Sequence, residues 1–377
     1  MAGIYIHIPY CKQRCSYCDF HFKISQKDRP EVIKSIKIEL LENVNYFNNK
    51  EVKTIYFGGG TPSIINEKEL EDLIILIYQN FKVKKNVEIT VECNPEDITT
   101  NKIVSYRKMG INRLSIGVQS FNNSELEFMN RSHNAEKAYN SITIAQQNGF
   151  ENISVDLIYG LPNQKIDALQ RNLSIINELK IKHFAAYGLT IEKKTKLFHL
   201  IKTKKIIPLQ DHKVNEQFYL IEDFAKENKY IHYEISNFAK AGFLAKHNSA
   251  YWENKIYLGV GPSAHSFDGK QRKWNVSSNK KYIEGINNKS INYFTIEHLS
   301  KQQHYNEYLM TNFRTIWGVD TKIIEHRFGR SYKEKFLKAI KKWLNKNYIK
   351  NEKSIFKLSS KGKLFVDQIS SDMFLIN

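Results

Sequence analysis

Over the first 190 residues, short runs of β-branched and aromatic residues alternate with longer segments whose apolar positions recur every three or four residues. The runs Ile4–Ile8, Lys53–Phe57, Val87–Glu92, Arg113–Val118, Ile153–Ile158 and His183–Leu189 read as strands. Helices are predicted at Glu31–Phe47, Glu67–Phe81, Thr99–Met109, Glu136–Asn148 and Ile166–Leu179, with Asn66 and Thr100 as caps for two of them. Strict alternation of strand and helix implies six β/α units on a parallel sheet, an α/β fold. Glycine and polar residues gather where these strands end: Gly58, Gly59, Gly60 and Thr61 after the second, Glu92 on the third, Gln119 after the fourth, Asp156 and Gly160 on and after the fifth. In barrels of this class the chemistry collects at that end, which favours a partial (β/α)6 barrel over an open doubly wound sheet. The third strand supports this, because Glu88, Thr90 and Glu92 share one face while Val87, Ile89, Val91 and Cys93 share the other. Glu92 is expected to point inward and Cys93 outward.

Beyond residue 190 the pattern loosens. A helix is expected at His212–Glu227 and a strand near Tyr230–Ser236, followed by a loop-rich stretch dense in Gly, His, Tyr and Trp, Asn237–Asn275. The end of the chain reads as helix, helix, hairpin, helix: Phe336, Ile340, Trp343 and Leu344 have helical spacing, and Tyr348–Leu358 folds back at Asn351-Glu352-Lys353. Three regions are expected: a barrel core at 1–235, a loop-rich connecting region at 236–298 and a winged-helix-like α+β region at 299–377.

At 377 residues the chain can bury a large core without disulfide staples. Its four cysteines, three of them within eight residues, suit a reducing compartment and a metal site or reactive thiols. The apolar run Ile4–Pro9 is interrupted by His7 and has no basic segment before it, so it is not read as a secretory signal. The apolar stretch at Leu73–Ile77 is far too short to span a bilayer. The expected setting is the cytoplasm, with room for peripheral membrane contact. A formal charge of +18 raises nucleic-acid binding. More than half of that excess lies between Glu325 and Lys363, with thirteen Lys or Arg against three Glu and no convincing interleaving of aromatics, so a solvated basic surface is the preferred reading.

The cysteine loop is spaced Cys11-x3-Cys15-x2-Cys18. A structural zinc site would need His7 or His21 as a fourth ligand, and a disulfide would leave an odd thiol. A four-iron four-sulfur cluster held by three thiolates matches better and leaves one iron open for chemistry. Cys93, on the outward face of its strand, reads as a small buried residue.

Taken together, the cysteine loop after the first strand, Gly58-Gly59-Gly60-Thr61-Pro62 after the second and Glu92-x-x-Pro95 at the end of the third resemble the radical S-adenosylmethionine (SAM) enzymes. The resemblance covers roughly the first half of the chain. It implies that the open iron chelates the amino and carboxylate groups of SAM, and that one electron cleaves SAM to methionine and a 5′-deoxyadenosyl radical. By position, Cys11, Cys15 and Cys18 would be the cluster ligands. Gly59, Gly60, Thr61, Glu92, Gln119, Arg131 and Asp156 match SAM contacts of the family, and Tyr5 and Tyr17 flank the cluster loop. A tight turn at the glycines and plain aromatic packing at the tyrosines are the competing explanations.

The segments Ile6-His7-Ile8-Pro9-Tyr10-Cys11, Gly58 to Ser63 and Asp156-Leu157-Ile158-Tyr159-Gly160-Leu161-Pro162 extend the likeness over nearly the whole chain to one branch. They look like the oxygen-independent coproporphyrinogen III oxidase group and its heme-chaperone (HemW) relatives. The oxidase pattern carries a further cysteine two residues after the third. Phe20 stands there in this chain, which agrees with the chaperone branch, as does the short run of ten residues before Cys11. His247-Asn248-Ser249-Ala250-Tyr251-Trp252 resembles the His-Asn-x-x-Tyr-Trp motif of the chaperone-like members, and Gly259–Phe267, with His265, follows it. Heme is flat and apolar, so aromatic faces and an iron-ligating imidazole suit it, and His247, Asn248, Tyr251 and Trp252 are the implied heme contacts. Whether His247 or His265 meets the iron stays open, as does a plain core role for these aromatics. The resemblance implies heme-acceptor proteins and an electron donor as partners, and leaves open whether the chain is an enzyme. Porphyrinogen oxidation and nucleic-acid binding through the basic C-terminal region are the alternatives.

Overall fold

The computed structural model describes residues 2–376. Six strands, β1 (Ala2–Ile8), β2 (Val52–Gly59), β3 (Val83–Cys93), β4 (Arg113–Gln119), β5 (Ile153–Tyr159) and β6 (His183–Gly188), lie side by side in chain order and are all parallel. Helices Arg29–Glu42, Glu67–Asn80, Thr100–Lys108, Ala135–Gln147 and Ile166–Glu178 occupy the connections. Asn66 forms a full capping box with Glu69, and Thr99 rather than Thr100 caps the third helix.

Strand parity divides this sheet into an apolar outer face and a polar inner one. Ile4, Ile6, Ile55, Phe57, Ile89, Val91, Leu114, Ile116, Val155 and Leu157 pack under the helices, and Cys93 joins them as expected. The alternate residues, Tyr5, Tyr56, Glu88, Glu92, Arg113, Ser115, Ser154, Asp156 and His183, line the interior. Parallel strands are usually apolar on both faces. Spending one face on polar groups marks the barrel interior as a ligand space.

The stretch 236–298, expected to be loop-rich, instead continues the sheet. Strands β7 (Ile231–Glu234) and β8 (Asn237–Ala239) extend it antiparallel beyond β6. At the opposite edge β9 (Ile256–Val260) pairs parallel with β1, followed by β10 (His265–Phe267), β11 (Gln271–Asn275) and β12 (Phe294–His298) as an antiparallel ribbon. These strands are three to five residues long and interrupted by glycines, too short to display a period of their own. β9 owes its place to β1, some 250 positions away in sequence, and β8 to β6, while the remaining short strands pair with these or with one another.

Helices Lys301–Phe313, Thr321–Phe328 and Arg330–Asn345 pack with a three-stranded sheet of β13 (Val319–Asp320), β14 (Ile349–Glu352) and β15 (Ile355–Leu358), in the order β13-β15-β14. Tyr305, Leu309, Phe313, Phe336, Ile340, Trp343 and Phe356 form a separate core here. The hairpin turns at Lys353-Ser354, with Lys353 at φ +61°, one position later than its sequence suggests. Lys363 ties this unit to the barrel, its Nζ 2.6 Å from Glu222 Oε1 and 2.8 Å from His232 Nδ1. Among the described residues no helix is long and apolar enough to cross a membrane.

Candidate functional site

The three clustered cysteines lie on the loop that leaves the C-terminal end of β1. Backbone hydrogen bonds fuse this loop to the glycine turn after β2: Gly60 N donates to Ile8 O at 3.0 Å and Thr61 N to Tyr10 O at 2.7 Å. The Thr61 hydroxyl then donates to Cys11 Sγ at 3.3 Å, and an Arg131 guanidinium nitrogen lies 3.2 Å from Cys15 Sγ. The other terminal nitrogen of Arg131 donates to Asn94 Oδ1 at 2.7 Å and Gly117 O at 2.8 Å, and Asn94 Nδ2 donates to Thr61 Oγ1 at 3.2 Å. Lys12, also on the loop, pairs with the buried Asp97. The loop is therefore anchored from the ends of three strands, β2, β3 and β4.

All three thiols are partly exposed, and donors reach two of them from the protein side. Among the described residues no group of three or more His, Cys, Asp or Glu converges on a single-ion site. A four-iron cube separates its thiolates more widely than one ion does, and a cation plus a hydroxyl aimed at sulfur suit its negative charge. The residues present fit such a cluster. Burial pushes the Cys11 thiol up to about 12 and Cys18 up to about 11, so both carry protons without metal and would release them on loading.

Next to the loop, Glu92 accepts from Tyr56 Oη at 2.7 Å and from Gly59 N at 3.0 Å. Burial raises its pKa, against those two donors and the charge of Arg113. Gly59 has φ +105°, and a Cβ there would overlap the His7 ring, so only glycine gives this turn. Gln119 is also in the left-handed region, at φ +67°, where the β4–β5 register shifts and redirects the end of β4. Tyr17 packs against Leu126, Met129, Ile158 and Leu161.

Asp156, on β5, accepts from Ser115 and Ser154 hydroxyls, each at 3.2 Å. Burial, with a contribution from Glu92, pushes its pKa up to about 7. Between the unfolded carboxylate value and about 7 the folded chain therefore binds a proton that the unfolded chain has lost. Stability falls as pH rises through that window and levels off above it, by roughly 1 to 4 kcal/mol. Asp156→Asn should flatten the dependence, leaving the melting temperature near wild type at pH ~4 and raising it at pH ~8; a thermal series across that range measures it.

A cavity of about 550 Å³ opens beside these groups, with Tyr5, His7, Gly59 and Glu92 along one wall. Phe20 and His21 of the cluster loop stand at its edge. Tyr251, Trp252, Tyr257, His265 and Phe267 also line it, together with Lys255, Arg272 and Met310. Its size is that of a drug-sized or cofactor-sized ligand site, and its lining is mainly apolar. The helix Lys246–Trp252 that supplies Tyr251 and Trp252 is held at its start by Glu88, whose carboxylate accepts from Lys246 N at 3.2 Å and His247 N at 3.0 Å.

The structure thus brings Tyr5, Gly59, Glu92, Tyr251 and Trp252 onto one cavity, with the cysteine loop at its margin. His247, Asn248, Tyr17, Gly60, Thr61, Gln119, Arg131 and Asp156 do not line it. His247 is 2% exposed, with Nδ1 2.8 Å from Thr54 Oγ1 and Nε2 2.8 Å from Tyr251 Oη, and its ring stacks on Tyr56 at 4.9 Å. Sequence reasoning missed Tyr56, Asn94, Arg113, Tyr257, Phe267 and Arg272. Arg113 is 1% exposed and, among the described residues, makes no ion pair; its charge acts on both Glu92 and Asp156. The parity that oriented Glu92 would have found two of them, since Thr54-x-Tyr56-x-Gly58 and Arg113-x-Ser115-x-Gly117 repeat it on the neighbouring strands.

Residues 5–174 match the Radical SAM superfamily and residues 299–365 the HemN C-terminal domain. The chain is 33% identical to the heme chaperone HemW of Bacillus subtilis over 98% of both chains. It is 33% identical to the heme chaperone HemW of Lactococcus lactis over 95% of this chain and 93% of that one. Among solved structures, the coproporphyrinogen III oxidase HemN of Escherichia coli, a radical SAM enzyme, superimposes with a TM-score of 0.85 at 21% identity, covering 99% of this chain and 90% of that one. At that identity the likeness speaks for the fold.

Proposed function

The chain belongs to the radical SAM superfamily and, within its coproporphyrinogen III oxidase-like family, to the heme chaperone HemW branch, and from that premise we propose that it binds heme in the aromatic cavity and delivers it to acceptor proteins. The family implies a four-iron four-sulfur cluster and SAM. Cys11, Cys15 and Cys18 would hold the cluster, which when bound supplies an electron to SAM at its open iron. Arg131 and Thr61 offset negative charge on the sulfurs. Gly59 and Gly60 let backbone approach the amino acid part of SAM, while Glu92 holds an acceptor toward the cavity. Gln119 and Asp156 would add polar contacts to SAM from the ends of β4 and β5, with Tyr5 on the side toward the aromatic pocket.

The observation that carries the heme reading is the continuity of one cavity from Glu92 and Gly59 to Tyr251, Trp252, Tyr257 and Phe267. A flat apolar ring with two anionic arms matches aromatic walls together with Lys255 and Arg272. Phe20, 70% exposed, stands at the edge of this cavity where the oxidase pattern has a cysteine, which sets the chain apart from that activity. Acceptor hemoproteins and an electron donor are the partners this function requires.

Anaerobic reconstitution of the cluster, followed by hemin titration and gel filtration, tests the reading. A shifted Soret band that travels with the protein is the expected result. Loss of all heme on the column would count against it.

A further inference from the structure

We propose that His265, and not the histidine of the His-Asn-x-x-Tyr-Trp motif, is the ligand to heme iron, and that Arg272 and Lys255 bind the propionates. This rests on reading the cavity as a heme site and names the groups that would grip the ring there. The strand β10 is three residues long, so His265 and Phe267 face the cavity while Ser266 points the other way, bonded to Gly259 N at 2.9 Å and Gly259 O at 3.2 Å. In the antiparallel register Trp274 lies opposite His265, and Arg272 opposite Phe267. Cross-strand partners share a face. The ribbon therefore presents one wall on which the His265 ring stacks near Trp274 at 6.1 Å and the Arg272 guanidinium lies 5.8 Å from the Phe267 ring centre.

Three other imidazoles at or beside the cavity are engaged, and a fourth, His304, whose ring lies 6.5 Å from that of Phe267, does not line it. Both nitrogens of His247 are hydrogen-bonded within the barrel, and the ring is buried between Tyr56 and Tyr251. Iron could reach it only by breaking a buried hydrogen bond and leaving Thr54 or Tyr251 unpartnered. His7 is held at both nitrogens, 3.1 Å from Tyr5 Oη and 3.1 Å from His21 O. His21 is fixed through Nε2 to Asn279 at 2.9 Å and stacks on His7. His265 is exposed on the cavity wall and, among the described residues, its ring hydrogen-bonds to no protein group, which leaves a nitrogen lone pair for iron without cost to the fold. Arg272 meets Glu307 through Nε at 2.9 Å, which leaves its terminal nitrogens for a carboxylate. Lys255, 3.6 Å from Glu253, supplies the second cation.

The test is hemin titration of the anaerobically reconstituted full chain, unaltered and as His265→Ala, His247→Gln and His21→Ala, with circular dichroism confirming the fold of each. The unaltered chain and His247→Gln should show the same histidine-ligated heme spectrum. His265→Ala should lose that signature and bind hemin about 10- to 100-fold more weakly, and added imidazole should restore the spectrum. Arg272→Met should weaken hemin binding but leave binding of heme dimethyl ester, which has no free propionates, unchanged. A wild-type spectrum in His265→Ala overturns the ligand. So does loss of the spectrum only in a folded His247→Gln or His21→Ala. No heme on the unaltered chain overturns the cavity's assignment itself, and the ligand with it.

Discussion

Cys15→Ser should leave the chain without a stable cluster after anaerobic reconstitution, whereas Arg131→Met should weaken cluster retention by roughly 10- to 100-fold. The two substitutions act on the same sulfur at different removes. Serine lacks the soft thiolate that holds iron, so one of only three proposed ligands is gone. Methionine at position 131 keeps all three and removes the cation 3.2 Å from Cys15 Sγ, along with its bonds to Asn94 and Gly117. Iron and sulfide content per chain, with the visible absorbance, separates the two cases. Full retention by Cys15→Ser would show that Cys15 is no ligand.

Gly59→Ala should lower the stability of the metal-free chain by roughly 2 to 5 kcal/mol. A side chain at φ +105° is strained, and its Cβ would also overlap the His7 ring, which is itself pinned at both nitrogens. Gly110→Ala is the matched control: φ is +85° there, yet the space around a new Cβ is empty, so only the backbone strain applies. Urea unfolding of the two variants should therefore place the Gly59→Ala midpoint clearly below that of Gly110→Ala. Equal midpoints would mean that His7 moves aside freely, and that the glycine turn is less rigid than its hydrogen bonds indicate.

The six parallel strands were legible because each carries its own alternation, and the same alternation placed Glu92 inside and Cys93 outside without any partner strand in view. What lay beyond reach was pairing at a distance. The strands β8 to β11 are too brief to declare themselves, and they exist because β6 and β1 offer open edges. The residues proposed to contact heme divide along the same line. Tyr251 and Trp252 were legible from their motif and do reach the cavity. His247 carries the same motif, but Thr54, 193 residues away in sequence, takes one of its nitrogens, and no spacing rule reveals that. Arg113 differs again: its place in the barrel follows from strand parity, and its proximity to Glu92 and Asp156 follows from sheet order, so it was readable in principle.

The central claim is that this barrel carries heme as cargo instead of converting a porphyrinogen. The direct measurement gives the reconstituted, heme-loaded chain an apo-hemoprotein acceptor, and in parallel gives the same preparation coproporphyrinogen III, SAM and a reductant under anaerobic conditions. Heme should appear in the acceptor while no protoporphyrinogen IX forms. Protoporphyrinogen IX production, with heme neither held nor passed on, would contradict the account.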